Sequence, residues 1–307
     1  MTRRTVEISS PSHLRVEHEQ LVIERDGQRL GQVPLEDLGV LVIDHPHATM
    51  SRHLLSSCAR HDATVVVSDE KHLPSAIVLP IEGHSVQTET MRAQAAMTEP
   101  TRKRLWQQIV RSKIKAQAFV LAESTNGMPT PLDGMGAKVR SGDPDNIEGQ
   151  AARLYWPRMF GQEFRRDPDQ DGINTLLNYG YAIIRAATAR AVCAAGLHPS
   201  LGIHHHNRYD ALCLASDLME PARPLVDRIV LGLNTDGAPI EVNAATKEPL
   251  LKVVHEHVLV DKREFPLLLA LQTLAVSVRR VITEGKGQVQ APLPLPLNHV
   301  SVESSQD

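Results

Sequence analysis

The sequence predicts an α+β protein: a β-sandwich-like domain over residues 1–83, followed by a larger all-helical domain over residues 84–287. Two observations carry this. Up to about Leu79 the apolar residues come in short β-branched runs broken by turn residues, and beyond Gly83 those runs give way to apolar residues at helical spacing. A chain of 307 residues, 42% of them apolar, is long enough to bury two cores.

In the first domain, Val6 and Ile8, Leu14 and Val16, Leu21 to Ile23, Val40 to Ile43 and Val65 to Val67 are runs of strand length. Asp26-Gly27 between Ile23 and Leu30 is a hairpin turn, because glycine accepts the positive φ that such turns require. Pro34 to Asp37 and Ser51 to Ala59 suit short helical pieces over the sheet. In the second domain, Met91 to Met97 reads as helical. Thr101 to Glu123 places Leu105, Ile109, Ile114, Ala118 and Leu121 near helical spacing. Asp143 to Asn146 opens the next helix, with Gly149, Ala151 and Ala152 small enough for a close neighbour.

After a polar loop holding Arg165 and Arg166, Ile173 to Ala195 reads as a long helix closed by Gly196 and broken by Pro199. Pro221 and Pro224 suit a first helical turn, so Leu225 to Leu233 continues helically. Leu250 to Val260, opened by Pro249, and Phe265 to Thr283 are expected as two further helices. The Pro- and Ser-rich end, residues 288–307, is expected as a disordered tail.

Three distant cysteines, Cys58, Cys193 and Cys213, make neither a disulfide framework nor a Cys-x-x-Cys metal knuckle. No apolar run reaches bilayer length and no signal-peptide pattern opens the chain, so the expectation is a soluble cytoplasmic protein. A formal net charge of -3 excludes a uniformly basic nucleic-acid binder without excluding a local basic patch. Such a patch is offered by Arg102, Lys103, Arg104, Arg111, Lys113 and Lys115, a stretch without an acidic residue, which suits either a polyanion or a solvated helix face.

The most chemical stretch runs from Leu201 to Asp227. His204, His205 and His206 stand in a loop, followed by Asp217 and Glu220 three residues apart. Imidazole and carboxylate are the ligand types a divalent cation accepts, and an i, i+3 pair shares a helix face. The same Asp217–Glu220 spacing is also a capping box, as is Asp145 followed by Glu148. The residues alone leave both readings open.

Taken together, these residues resemble a known family, the catalytic integrase subunit of CRISPR adaptation, first of the core CRISPR-associated proteins. The resemblance lies in Asn-Ile-Glu-Gly-Gln-Ala-Ala-Arg at 146–153, Leu-Gly-Ile-His-His at 201–205 and Asp-Leu-Met-Glu-Pro-Ala-Arg-Pro-Leu-Val-Asp at 217–227. It extends to Pro-Leu-Glu-Asp-Leu at 34–38 and Leu-Trp-Gln-Gln-Ile-Val-Arg-Ser-Lys-Ile at 105–114. The His-rich loop is similar to that of the branch accompanying type II, single-effector systems.

The resemblance implies a dimerising β domain and a catalytic helical domain that binds DNA and metal. By motif it assigns Glu148, His205 and Glu220 as ligands of Mg²⁺ or Mn²⁺, with His205 standing three places after Gly202. Asp217 is left to cap a helix or to support the site, and His204 and His206 depart from the pattern, as does Ala222, where an aromatic is usual.

The implied activity is that of a metal-dependent DNA integrase and endonuclease. It inserts spacer DNA into a CRISPR repeat by 3′-hydroxyl attack on a phosphodiester and cleaves or resolves branched DNA. The implied partners are DNA, a second copy of the chain, a smaller CRISPR adaptation protein and the type II effector nuclease, with no membrane. A non-catalytic DNA-binding scaffold is the principal alternative, and a hydrolase of small phosphate esters a third.

Overall fold

A computed structural model describes residues 4–70, 72–80, 83–234 and 241–296. The β domain contains β1 (Arg4–Ile8), β2 (His13–Glu17), β3 (Gln20–Arg25), β4 (Gln28–Pro34), β5 (Leu38–Ile43), β6 (Thr49–Met50), α1 (Arg52–Arg60), β7 (Thr64–Ser68) and β8 (Pro74–Val78). The strands form two four-stranded sheets, in the orders β4-β3-β2-β6 and β1-β5-β7-β8. The β3–β4 hairpin closes through Asp26 and Gly27, both at positive φ (51° and 76°), the twist that matches antiparallel strands. The β6 and β8 strands were not expected, because Thr49–Met50 is too short to show a period and Pro74 demotes its run to an edge strand.

The β5 strand joins the two halves of the molecule. It runs parallel to β1 and β7 and is buried along its whole length. Alternate side chains of a strand point to opposite faces. Leu41 and Ile43 accordingly pack with Leu14, Leu21, Leu54 and Val65, whereas Val40 and Val42 join the core of the helical region. At the end of β5 the buried Lys247 ammonium lies 2.9 Å from Asp44 and 3.6 Å from Glu7, tying the sheet to a helix of the second region.

The C-terminal region contains α2 (Gln87–Ala95), α3 (Glu99–Ser124), α4 (Met135–Lys138), α5 (Ile147–Phe160), α6 (Ile173–Ala194), α7 (Cys213–Met219), α8 (Arg223–Leu233), α9 (Ala244–Lys252) and α10 (Leu267–Glu284). A 3₁₀ turn, Glu220–Ala222, joins α7 to α8. The α6 helix is largely apolar and enclosed by others, with Leu176, Leu177, Ile183, Ile184 and Val192 fully buried and a few polar side chains such as Asn174, Arg185 and Arg190.

Two expectations for this region need correction. Leu250–Val260 is not one helix: α9 ends at Lys252, and β9 (His257–Val260) follows, paired antiparallel with β10 (Arg263–Pro266). Pro249 lies inside α9, whose cap is Asn243, accepting from the N–H groups of Ala245 and Thr246. The β-branched Val258 and Val260 and a turn with Asp261 and Lys262 at positive φ decide for a strand hairpin.

The segment expected as a disordered tail is packed as far as residue 296. β11 (Leu293–Pro294) adds to β9, so the helical region carries a three-stranded sheet in the order β10-β9-β11. The Val289 N–H donates to Gln108, and the Leu295 carbonyl accepts from Arg228 at 2.7 Å. Proline lowers neither apolar burial nor acceptor capacity, and that is what this segment uses. Residues 297–307 of the expected tail lie outside the described residues.

Leu295 is 6% exposed. Leu295→Ala should therefore cost about 2–3 kcal/mol in chemical denaturation, whereas a disordered tail would be indifferent to it.

Candidate functional site

The site is built where α3, α5, the histidine loop and the α7–α8 junction converge. In α3, Trp106, Ile109, Val110, Lys113, Ile114, Gln117 and Val120 form one buried stripe at helical spacing, so Lys113 stands where an apolar residue is expected. Its ammonium lies 2.5 Å from Glu148 Oε1 and 2.5 Å from Glu220 Oε2. The two carboxylate oxygens are thus at most twice that distance apart, although the residues are far separated in sequence.

Glu148 reaches this point from the first turn of α5. That turn is capped by Asp143, which accepts from the N–H groups of Ile147 and Glu148, and by Asn146, which accepts from Gly149. Asp145 pairs instead with Arg140 at 2.7 Å. The capping-box reading of Asp145 and Glu148 is therefore set aside, and Glu148 points inward, side-chain exposure 24%.

Glu220, 4% exposed at its side chain, lies in the 3₁₀ turn and accepts from Arg223 at 2.7 Å through Oε1. Its Oε2 touches the Lys113 ammonium but makes no hydrogen bond, so one buried carboxylate oxygen is held by charge alone. Burial by itself would raise the Glu220 pKa, but the Arg223 and Lys113 charges outweigh it and bring it down to about 2. For Lys113, burial works against the charge and the two glutamates overcome it, so the ammonium pKa is raised.

Asp217 organises the histidine loop. Fully buried in α7, it accepts from the backbone N–H groups of Ile203, His204 and His205, and its Oδ1 lies 2.6 Å from His205 Nδ1. It caps no helix and supports the loop. A Cβ on Gly202 would fall 2.3 Å from the His205 carbonyl and 3.1 Å from Asp217, so only glycine permits this fold-back. A carboxylate can only accept, so His205 Nδ1 carries a proton, and in the neutral ring the lone pair is left on Nε2, the arrangement by which carboxylates orient metal-binding imidazoles. The bond to Asp217 also raises the His205 pKa.

His204 stacks flat on Trp106, with ring centroids 4.1 Å apart and planes within 3°, and burial lowers its pKa. His206 is exposed.

Beneath the carboxylates, the Arg223 guanidinium lies 4.2 Å over the Tyr181 ring, and Tyr181 and Tyr155 both donate to Asp227. Burial raises the Asp227 pKa, to about 6, against the opposing effects of Tyr181 and Arg223. Tyr155 lies seven residues beyond Glu148 on the same face of α5, so one helix face carries both layers.

The structure brings Glu148 and Glu220 together on Lys113, with His205 close enough to be influenced by both charges. Among the described residues no three His, Cys, Asp or Glu side chains already stand close enough together to hold a metal ion. The donor set nevertheless fits one: two carboxylates converge on a single stand-in cation, one buried oxygen lacks a hydrogen bond, and an imidazole lone pair is oriented by a carboxylate.

Sequence reasoning missed Lys113, Trp106, Arg223 and the Tyr155–Tyr181–Asp227 set. A cation inside the apolar stripe of α3 was the available signal for Lys113. The remaining basic residues do not form one free face: Lys103 pairs with Glu99, Arg104 donates to the Gly285 carbonyl and Arg111 to that of Val139. In the loop before α6, Arg166 is held by Asn174 and Asn178.

The profile of the family described as CRISPR associated protein Cas1 matches residues 7–242. The chain belongs to the Cas1 family. It is 36% identical over 306 residues to a CRISPR-associated endonuclease Cas1 of Neisseria meningitidis, covering 99% of this chain and 100% of that one. Its fold is similar to that of a casposase bound to an integration product, with a TM-score of 0.75 and 18% identity over 94% of this chain and 93% of the casposase. It is also similar to a chain of a Cas6-RT-Cas1–Cas2 complex, with a TM-score of 0.69 and 20% identity over 94% of this chain and 36% of that one. A β-rich N-terminal part and a largely helical C-terminal part are thus the Cas1 architecture in this chain, and no described helix is long and apolar enough to cross a membrane.

The Asp227 pKa sets a pH dependence. An unfolded Asp titrates near 3.8 and Asp227 near 6, so the folded state binds the proton more tightly and its advantage is lost as pH rises between those values. Stability of the native protein relative to Asp227→Asn should fall by about 2–3 kcal/mol between pH 4 and pH 7 in urea titrations. A pH-independent difference would show that Asp227 is not held protonated.

Proposed function

We propose that this Cas1-family protein is a metal-dependent DNA integrase and endonuclease that inserts spacer DNA into a CRISPR array and also cleaves or resolves branched DNA. The observation that carries this reading is the convergence of Glu148 and Glu220 on one cation beside a His205 ring oriented by Asp217. Glu148, His205 and Glu220 would hold Mg²⁺ or Mn²⁺. The bound ion would supply Lewis-acid stabilisation of charge developing on the phosphoryl oxygens.

The protein's own groups position and restrain. Asp217 holds the His205 ring through Nδ1, which leaves Nε2 as its ligand atom, and Arg223 keeps Glu220 in its ionised form. His204, stacked on the buried Trp106, offers the outer face of its ring to an unpaired base. In strand transfer the oxygen of a DNA 3′-hydroxyl forms a bond to phosphorus as the bond to the leaving 3′-oxygen breaks; the hydroxyl proton passes to solvent and the leaving oxygen takes one from solvent. Water in place of the hydroxyl gives hydrolysis by the same displacement. A covalent enzyme intermediate on cysteine is disfavoured, because Cys58, Cys193 and Cys213 are buried with their thiol pKa values pushed up by burial.

The assembly reading follows the same line. Residues 1–83 would form a homodimer, with exposed Leu30 on edge strand β4 and Val78 on edge strand β8 as apolar surface available for it. Residues 84–287 would carry catalysis, with a smaller adaptation protein and DNA as partners. The solved neighbour containing Cas2 supports the former and the casposase bound to an integration product the latter. The type II branch, and with it the effector nuclease as a partner, rests on the His204–His206 loop alone. A monomer by light scattering at micromolar concentration would remove the dimer.

The rival reading is a DNA-binding scaffold in which Lys113 permanently neutralises Glu148 and Glu220. Glu148→Ala, His205→Ala and Glu220→Gln should each reduce strand transfer on branched DNA by a factor of about 100 or more in Mn²⁺, while His206→Ala remains within about twofold. Chelation should abolish the native activity, and a small phosphodiester should be a poor substrate. If the native protein binds DNA but transfers and cleaves nothing with Mn²⁺, the scaffold reading takes its place. Retention of activity in any of the three variants removes that residue from the ligand set.

A further inference from the structure

We propose that Lys113 is a displaceable occupant of the cation site: its ammonium holds Glu148 and Glu220 together in the metal-free protein and has to swing out before a divalent cation can enter. The inference rests on the reading of Glu148, His205 and Glu220 as ligands, and it concerns what this chain does before metal arrives.

Three observations support it. The first is position. An ammonium 2.5 Å from an oxygen of each glutamate occupies the space between the two carboxylates that a divalent ion held by both would need. The two occupants exclude each other.

The second is charge. Glu148 and Glu220 are paired with Lys113, and Glu220 also with Arg223 at 2.7 Å. A divalent ion placed between the same two carboxylates would stand against the Lys113 ammonium, and like charges at that range repel strongly in a half-enclosed, low-dielectric setting. Departure of the ammonium relieves that repulsion, and Arg223 cannot substitute in this, because its guanidinium is fixed between Glu220 and the Tyr181 ring.

The third is bonding. Lys113 donates a hydrogen bond to Glu148, but its contact with Glu220 Oε2 lacks hydrogen-bond geometry, so one side of the bridge is attraction without direction. A flexible four-carbon stem can give up such a contact at lower cost than a bidentate guanidinium could. Exposure rises from 4% at Glu220 to 24% at Glu148 and 44% at His205, so the way out for the ammonium lies along the glutamate with the stronger bond, toward the His205 rim.

The consequence is a competition that is measurable without DNA or turnover. Mn²⁺ binding to the full chain, followed by the loss of the free-ion electron paramagnetic resonance signal, should be tighter in Lys113→Met than in the native protein by about tenfold, within the range of a single coupling of this kind. Lys113→Arg, which keeps the charge, should bind Mn²⁺ no better than the native protein. Without metal, Lys113→Met should melt below the native protein, and saturating Mn²⁺ should raise its melting temperature by more than it raises the native one.

The native protein provides a readout that does not depend on the variant folding: reductive methylation of Lys113, followed by mass spectrometry, should be slow without metal and faster with Mn²⁺. Equal or weaker Mn²⁺ binding by a folded Lys113→Met, or Lys113 labelling unaffected by bound Mn²⁺, overturns the competition while leaving the metal site in place. Failure of both the native protein and Lys113→Met to bind Mn²⁺ overturns the metal reading itself and this inference with it.

Discussion

A single buried ammonium holds the helical half of this molecule in register. Lys113 on α3 meets Glu148 from the start of α5 and Glu220 from the turn between α7 and α8, and without a cation between them two carboxylates would face each other at short range. Removing one partner of such a buried cluster is generally far more costly than a surface ion pair, on the order of 3–5 kcal/mol, because the remaining charges stay desolvated. The orientation of three helices is thereby coupled to the charge state of one small volume. Beneath it, Arg223, Tyr181, Asp227 and Tyr155 form a second layer that extends the coupling from Glu220 back to α5.

The surrounding fold keeps that volume in place from two sides. Asp217 gathers the N–H groups of Ile203, His204 and His205 onto one carboxylate, so the loop that presents the imidazoles is pinned to α7 at every residue that matters. On the other side, β5 contributes Val40 and Val42 to the core that α6 organises, and Lys247 ties the end of β5 to α9. The Cas1 architecture of this chain is thus a β domain whose central strand is shared with the helical core, and a site at the meeting point of helices that this core orients.

Much of this was legible in the residues, for identifiable reasons. The β-branched runs gave true strands, Asp26-Gly27 gave a true hairpin, and Gly196 marked the end of α6, because each signal reports local backbone preference. The motifs around Glu148 and Glu220 pointed to two residues that meet in space on Lys113. Local preference could not reveal what depends on distant partners. Lys113 read as one member of a basic run although its position in the apolar stripe was visible, and Asp217 and Glu148 had the spacing of capping boxes while their oxygens were committed elsewhere. The proline-rich end misled for the same reason, since β11 forms only against the edge of β9, whereas the β9–β10 hairpin carried local signals in Val258, Val260 and the Asp261–Lys262 turn.

The central claim, that the Lys113 ammonium stands in for a divalent cation between Glu148 and Glu220, is tested most directly by crystallography at the manganese absorption edge on crystals equilibrated with Mn²⁺. The result expected is one anomalous peak between Glu148 and Glu220, within bonding distance of His205 Nε2, with the Lys113 side chain turned away from both carboxylates. A Lys113 ammonium still bridging the two glutamates, with manganese bound elsewhere or not at all, would contradict it.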